Sequence, residues 1–555
     1  MLALDSGTDQ LSTKSRAAVL SCYFPIAMLA AFILCFTLSS VAAVSPDKAK
    51  TRDRAQKAMR AGDFERAEQL YRELLTKDDH DSEARLGLSQ ALLKQRRFQD
   101  SFDHAARVIA LDPLSARAHA LLGSAVLAAG DFRLSVEEFR TALSLNDDEA
   151  IAIAGLAMVD FYENRIANCL GGLRRAASLD SNEPDYVFNL GQAAARSERY
   201  KEAADAYERF LQIAPRTDAD RRARIRGLID FLRYLGQQGS LYDLNGSDRT
   251  TIPFEAPDSR PIIKVRINGS KEYLRFVLDT GSGMSVLSEE TARKLSIKPV
   301  ARGGLARAVG GGGRFEIVYG YVNSLDVGGI QIEHLPVYIR HFFDERNPVD
   351  GYLGIAALGR LITVVDYGTR RITLIRQRSS EPTNLATIMG PGKQNNAEPG
   401  APRQGMDLTV RTTSSGFLSG EVFIDGIKKP LNFIVDTGAT VTVLAERVAQ
   451  LAETQGFIQE TRMRVFGAAG VADDVKTALL PKLTIGSLAR ERIEAAVLDL
   501  EPVNETAGFQ QSGILGGNFL SHFRLVFDFL KGIVRLEPLE SATVQNENSP
   551  QAEEP

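Results

Sequence analysis

From residue 48 to residue 215 the chain repeats itself every 34 residues, and few folds tolerate such a period. The frame is set by five dipeptides: Gly62-Asp63, Arg96-Arg97, Gly130-Asp131, Asn164-Arg165 and Glu198-Arg199. An apolar residue follows each: Phe64, Phe98, Phe132, Ile166 and Tyr200. Three residues further on stands a small side chain (Ala67, Ser101, Ser135, Cys169, Ala203), which lets two helices approach closely. Four further again come Tyr71, Ala105, Phe139, Leu173 and Tyr207. The units close on polar residues or proline, as in Leu111-Asp112-Pro113 and Ile213-Ala214-Pro215, where a helix stops. Each unit is therefore one helix–turn–helix, and such units bury their apolar faces only by stacking on one another.

This pattern resembles the tetratricopeptide repeat family, whose period is 34 residues. Gly123 and Gly191 stand where that family favours glycine in the first helix. Residues 216–239 read as a polar-faced capping helix, so the repeat region with its cap spans 48–239. The resemblance implies a concave surface for a peptide or protein partner. The alternative is a spacer that holds the C-terminal half away from a membrane. Cys169 sits at the small-residue position, a packing site.

After residue 250 helical spacing gives way to short β-branched runs with glycine turns, as in Pro261–Gly269. Phe276-Val277-Leu278-Asp279-Thr280-Gly281-Ser282 then finds an echo in Phe433-Ile434-Val435-Asp436-Thr437-Gly438-Ala439. Val286-Leu287 and Val443-Leu444 follow their aspartates at the same distance. So do Gly310 and Gly467, each in a glycine-rich segment. Leu353-Gly354 and Leu515-Gly516 start matched runs that reach Leu358, Asp366 and Leu374 in one copy and Leu520, Asp528 and Leu536 in the other. Internal duplication accounts for these offsets.

The two copies resemble the pepsin and retroviral-type aspartic proteases, over 250–378 (lobe 1) and 406–540 (lobe 2). The resemblance implies a pair of all-β lobes with Asp279 and Asp436 as the catalytic dyad. Two carboxyls sharing one proton can activate a water and polarise a carbonyl together. The loops would be supported by Thr280, Gly281 and Ser282 on one side and by Thr437, Gly438 and Ala439 on the other. By resemblance, the threonines would bond across the lobe interface. Leu353-Gly354 and Leu515-Gly516 would pack beneath the loops, and segments 308–314 and 465–471 could be flap tips. Ser282 can hydrogen-bond its carboxylate and Ala439 cannot, so the aspartates are inequivalent, without showing which is the base. Asp366 and Asp528 read as hairpin residues, and Tyr319 and Tyr321 carry no assigned role. The retroviral pattern has an aspartate where Gly283 and Thr440 stand, and an arginine where Ile355 and Gly517 stand. Its partners are lost together, which argues against a retroviral-style dimer.

The rest of the chain bounds the setting. Ala17–Val44 carries no charge and comes after Lys14 and Arg16. Residues 1–47 thus read as a signal peptide, or as a signal anchor placing 17–44 in a membrane, and either exports the downstream chain. Residues 379–405 read as a flexible linker and 541–555 as a disordered acidic tail. The 555 residues carry a net charge of −4, with no basic field for nucleic acid. Three cysteines exclude a disulfide scaffold. No metal-ligand spacing, phosphate loop or Gly-x-Ser-x-Gly elbow is present, so neither metal nor cofactor is expected. The expectation is a multidomain chain, an all-α repeat solenoid followed by an all-β two-lobed retropepsin-like region. It is read as an exported aspartic endopeptidase whose repeats dock substrate or partner proteins. The alternative is a non-catalytic peptide-binding scaffold.

Overall fold

The computed structural model describes residues 46–377, 405–468 and 470–539. The export segment (including residues 17–44), the linker between the lobes and the acidic tail lie outside the described residues.

Ten helices form five antiparallel pairs: α1 (Pro46–Ala61) with α2 (Phe64–Lys77), α3 (Ser82–Lys94) with α4 (Phe98–Leu111), α5 (Ala116–Ala129) with α6 (Phe132–Leu145), α7 (Ala150–Tyr162) with α8 (Ile166–Leu179), and α9 (Pro184–Arg196) with α10 (Tyr200–Ile213). Asp63 and Asp131 cap the second helix of their pairs, accepting from the Arg66 and Leu134 N–H groups at 3.0 Å. The first residue of every turn dipeptide has positive φ, between 59° at Glu198 and 93° at Gly130. The five small residues Ala67, Ser101, Ser135, Cys169 and Ala203 are all fully buried. Burial pushes the Cys169 thiol up to about 12, so it stays a neutral packing group. An eleventh helix, α11 (Ala219–Leu235), ends the stack. It is more than a polar cap, because Ile225, Ile229, Phe231, Leu232 and Leu235 are buried along it.

The solenoid also closes on itself. Lys94 at the end of α3 reaches Glu183 at 2.8 Å and Asp185 at 2.6 Å, at the start of α9. A Cβ on Gly62 would lie 2.8 Å from Pro215.

The C-terminal half builds three sheets. Lobe 1 has eight strands in the order β1 (Asp243–Gly246), β8 (Ile330–Arg340), β5 (Ser285–Ser288), β9 (Gly351–Leu353), β4 (Leu274–Leu278), β3 (Ile262–Ile267), β7 (Arg314–Val327) and β6 (Ala301–Arg307). Lobe 2 has eight in the order β13 (Arg411–Thr412), β14 (Leu418–Ile424), β15 (Leu431–Val435), β20 (Gly513–Leu515), β16 (Thr442–Ala445), β19 (Leu488–Leu498), β18 (Gly470–Ile485) and β17 (Ile458–Gly467). In lobe 1, β4 (Leu274–Leu278) runs parallel to β9 (Gly351–Leu353), and β5 (Ser285–Ser288) runs parallel to β8 (Ile330–Arg340). In lobe 2, β15 (Leu431–Val435) and β20 (Gly513–Leu515), and β16 (Thr442–Ala445) and β19 (Leu488–Leu498), repeat both pairings. Lobe 1 starts earlier than residue 250, because β1 (Asp243–Gly246) pairs with β8. Its Asp-Leu-Asn-Gly sequence has no alternating apolar pattern to announce a strand.

Between the lobes runs a six-stranded sheet drawn from both, in the order β12 (Met406–Thr409), β22 (Ile533–Pro538), β21 (Phe523–Asp528), β10 (Leu361–Asp366), β11 (Arg371–Arg376) and β2 (Arg249–Pro253). Here β10 (Leu361–Asp366) of lobe 1 pairs antiparallel with β21 (Phe523–Asp528) of lobe 2, Val364 opposite Val526. Asp366 and Asp528 end the first strands of two hairpins in this sheet, with β11 (Arg371–Arg376) and β22 (Ile533–Pro538). The lobes therefore share a sheet and one continuous hydrophobic core.

Candidate active site

Two short loops leave the ends of β4 and β15 and meet at the junction of the lobes. Each aspartate is hung from the strand beside it: the Asp279 N–H donates to Leu353 O at 3.0 Å and the Asp436 N–H to Leu515 O at 3.1 Å. The next residues lock the loops together. The Thr280 hydroxyl donates to Val435 O at 2.8 Å and the Thr437 hydroxyl to Leu278 O at 2.6 Å. The two backbone N–H groups donate crosswise to those hydroxyls, Thr437 to Thr280 at 3.0 Å and Thr280 to Thr437 at 3.2 Å. Both threonines are fully buried, and every group in this two-fold network has a partner.

The motif glycines allow the carboxyls to meet. A Cβ on Gly281 would stand 2.2 Å from Asp436 Cγ, and one on Gly438 2.5 Å from Asp279 Oδ1. Each loop thus packs its glycine against the other loop's carboxyl, and the two carboxyls hydrogen-bond to each other. Asp279 is only 6% exposed.

Their surroundings differ. Asp279 accepts from Ser282 Oγ at 2.6 Å and from the Gly281 N–H at 2.9 Å. Burial raises its pKa, but these bonds, the Asp436 carboxyl and the Arg260 charge pull it back. Asp436 accepts only backbone N–H groups within its loop, Gly438 at 2.7 Å and Ala439 at 3.2 Å. Burial and then the Asp279 charge push it well above the usual carboxylate range. Of the pair, only Asp279 has a side-chain hydroxyl, that of Ser282, to hold its charged form.

Two nearby residues carried no functional signal in the sequence. Arg260 is buried and donates to Asp344 at 2.9 Å, and its charge reaches both Asp279 and Tyr352. Tyr352 stands two residues before Gly354, its phenol raised first by burial and further by both aspartates. The signal for Arg260 lies in comparing the two copies: at the matching position before Asp436 stands Phe417.

The glycine-rich segments are hairpin tips. One joins β6 (Ala301–Arg307) to β7 (Arg314–Val327), the other β17 (Ile458–Gly467) to β18 (Gly470–Ile485). The hairpins meet backbone to backbone: a Cβ on Gly467 would lie 2.4 Å from Val309 O, and one on Gly311 2.5 Å from Gly470 C. Each is also held by the opposite lobe. Arg340 donates to Ala468 O and lies 3.9 Å over the Phe315 ring, while Arg346 lies 4.4 Å over Phe466. Arg307 pairs with Glu505 at 3.2 Å and Asp499 at 3.5 Å. Tyr319 and Tyr321 face the solenoid: Tyr319 stacks on Phe231 at 4.4 Å, and Tyr321 meets Tyr234 edge-on at 5.6 Å. Among the described residues no cluster of His, Cys, Asp or Glu could hold a metal ion, and no helix is long and apolar enough to cross a membrane.

An aspartyl-protease family model matches residues 263–357 and again 420–519, one match per lobe. Tetratricopeptide-repeat models match residues 58–125 and 184–217. Among curated proteins, anaphase-promoting complex subunit 3 of Schizosaccharomyces pombe is 26% identical over 160 residues, 29% of this chain and 24% of that protein. The chain thus spans about a quarter of the length of this relative. A solved tetratricopeptide-repeat protein of Thermus thermophilus is 19% identical over 33% of this chain and 98% of its own, with a TM-score of 0.28. The aspartic proteinase of Irpex lacteus is 15% identical over 53% of this chain and 99% of its own, with a TM-score of 0.34.

Proposed function

From a chain that carries tetratricopeptide repeats in its N-terminal region and an aspartyl-protease fold in its C-terminal region, we propose an aspartic endopeptidase whose dyad is Asp279 and Asp436. The observation that carries this reading is the crossed threonine network with each motif glycine packed on the opposite carboxyl. It leaves two carboxyls in contact and inequivalent, as a proton-sharing pair requires.

In this mechanism Asp279 is the ionised member and Asp436 the protonated one. A water between them gives its proton to Asp279 as its oxygen adds to the peptide carbonyl carbon. The Asp436 proton passes to the carbonyl oxygen, leaving a neutral gem-diol. Asp436, now ionised, takes a proton back from one diol hydroxyl while Asp279 delivers its own to the departing nitrogen. The C–N bond then breaks, and the starting protonation states are restored. The paired hairpins would close over the bound peptide and exclude water from this step.

The reading extends to location and partners. The uncharged stretch 17–44 after Lys14 and Arg16 supports an enzyme working outside the cytoplasm, either released or held by that stretch. The repeats support a protein partner or a docked protein substrate.

The test is cleavage of a quenched peptide mixture from acid to neutral pH. Asp279→Asn and Asp436→Asn should each lower the rate by about 10²–10⁴-fold, and a statine-type inhibitor should block the parent protein. Full rate in either variant would remove the intramolecular dyad.

A further inference from the structure

The last helix of the solenoid grips one strand of the lobe 1 flap. Gly227 of α11 lies so close to β6 that a Cβ there would stand 2.1 Å from Arg302 O and 2.5 Å from Gly303 Cα. One turn earlier, Ala223 is the nearest neighbour of Gly304, 3.0 Å from where a Cβ on that glycine would be. Arg224 Nη1 donates to Leu305 O at 2.9 Å, and Asp220 pairs with Arg314 across the hairpin at 2.7 Å. Further along, Phe231 and Tyr234 take the Tyr319 and Tyr321 rings of β7. Contact thus runs the length of α11, from near the hairpin tip to its base. The helix is itself fixed from behind, because the segment leading into it, at Pro215 and Thr217, packs on the first repeat's turn at Gly62. The gripped flap then meets the lobe 2 flap through Gly310 and Gly311.

We propose that α11 is the positioning element of the lobe 1 flap, so that the repeats act on cleavage within their own chain, through β6, and not only as a surface for substrate. The proposal rests on the protease reading above. No equivalent helix holds the lobe 2 flap among the described residues; there Arg340 and Arg346 of lobe 1 take the tip. The two flaps are therefore governed differently: each is held by the opposite lobe, and the lobe 1 flap is held by the solenoid as well. A change of curvature in the solenoid would reach the cleft through α11.

Gly227→Ala in the full chain tests this. Alanine is the better helix former, so α11 itself is not weakened. Its Cβ nevertheless cannot coexist with Arg302 O, and β6 must move. Gly171→Ala is the matched control, since Gly171 lies in α8 with nothing within 4 Å of an added Cβ. Arg224→Ala removes the bond to Leu305 O without any clash. The readouts are kcat and KM on a peptide too short to reach the repeats, and the emission of Phe466→Trp, the chain having no tryptophan of its own.

Gly227→Ala should lose on the order of tenfold or more in kcat/KM and red-shift the emission. Arg224→Ala should do the same more weakly, and Gly171→Ala should do neither. Wild-type kinetics and emission in Gly227→Ala would overturn the proposal. So would an equal loss in Gly171→Ala, which would mark a general structural effect. If the parent chain cleaves no peptide while Gly227→Ala still shifts the emission, the protease reading falls and the flap anchor stands.

Discussion

Asp279 and Asp436 end matching strands in matching loops, and their difference comes from a few neighbours. The hydroxyl of Ser282 bonds Asp279, whereas Ala439 offers Asp436 only its N–H. That contrast is written in the duplicated motif. Burial, and the Arg260 charge that eases Asp279, are not, because they depend on chain brought in from elsewhere. The consequence is a pH-dependent cost. Asp436 is raised in the folded protein, so between its ordinary value of about 3.9 and its raised value the native state binds more protons than the unfolded chain. Stability contributed by this group therefore falls as pH rises through that window. Asp436→Asn cannot ionise and escapes the cost. Thermal melts across pH should find the variant more stable than wild type near neutrality, with the gap closing below about pH 3.9. A gap that stays constant into acid would mean that the charge of Asp436 is not what strains the site.

At the scale of elements, the helix pairs were the most legible part of the chain and the small sheets the least. The 34-residue frame locates each tight helix contact because it is a local property, repeated five times. Gly155 shows how tight those contacts are: a Cβ there would sit 2.1 Å from the Phe139 ring, itself fully buried. Gly155→Ala should destabilise by about 1–3 kcal/mol from overpacking, despite alanine's better helix propensity. Gly171→Ala, one helix later and in open space, should instead be neutral or stabilise by up to about 1 kcal/mol. Denaturant midpoints for the two variants check the contrast, and equal shifts would refute the packing argument. The strands lack such a local signature. No pattern within β2, β10 or β11 says that they leave lobe 1 and form a sheet with lobe 2, because sheet membership is decided by distant partners. Likewise the duplication located both flap hairpins but not α11 behind one of them, which has no counterpart among the described residues of the other copy.

Across the whole molecule, the edge of the solenoid formed by the helix-pair turns lies on both lobes. Arg96 donates to Asn504 O at 3.1 Å, Asn432 of lobe 2 donates to Gly130 O at 3.3 Å, Asn164 donates to Leu530 O at 3.1 Å, and Glu198 pairs with Arg360 of lobe 1 at 2.7 Å. Four of the five turn dipeptides that define the period are thus also docking residues, a use the period itself does not reveal. Most of these contacts are at least partly exposed, and each contributes little. The apolar centre of the lobe 2 contact is Phe509, 2% exposed and edge-on to Phe132 at 4.9 Å and Tyr162 at 5.0 Å. Beside it the Gln510 N–H donates to Ala128 O at 2.9 Å. Phe509→Ala should therefore cost about 3–5 kcal/mol and leave the polar turn contacts without an apolar centre. Hydrogen exchange would show where that loss falls. The ends of α5 and α7, around residues 128–132 and 160–164, should exchange faster, while the β10–β21 pairing between the lobes keeps its protection. Uniform loss across both halves would mean that solenoid and lobes unfold as one unit, and unchanged protection at the helix ends would move the docking energy from Phe509 to the turns.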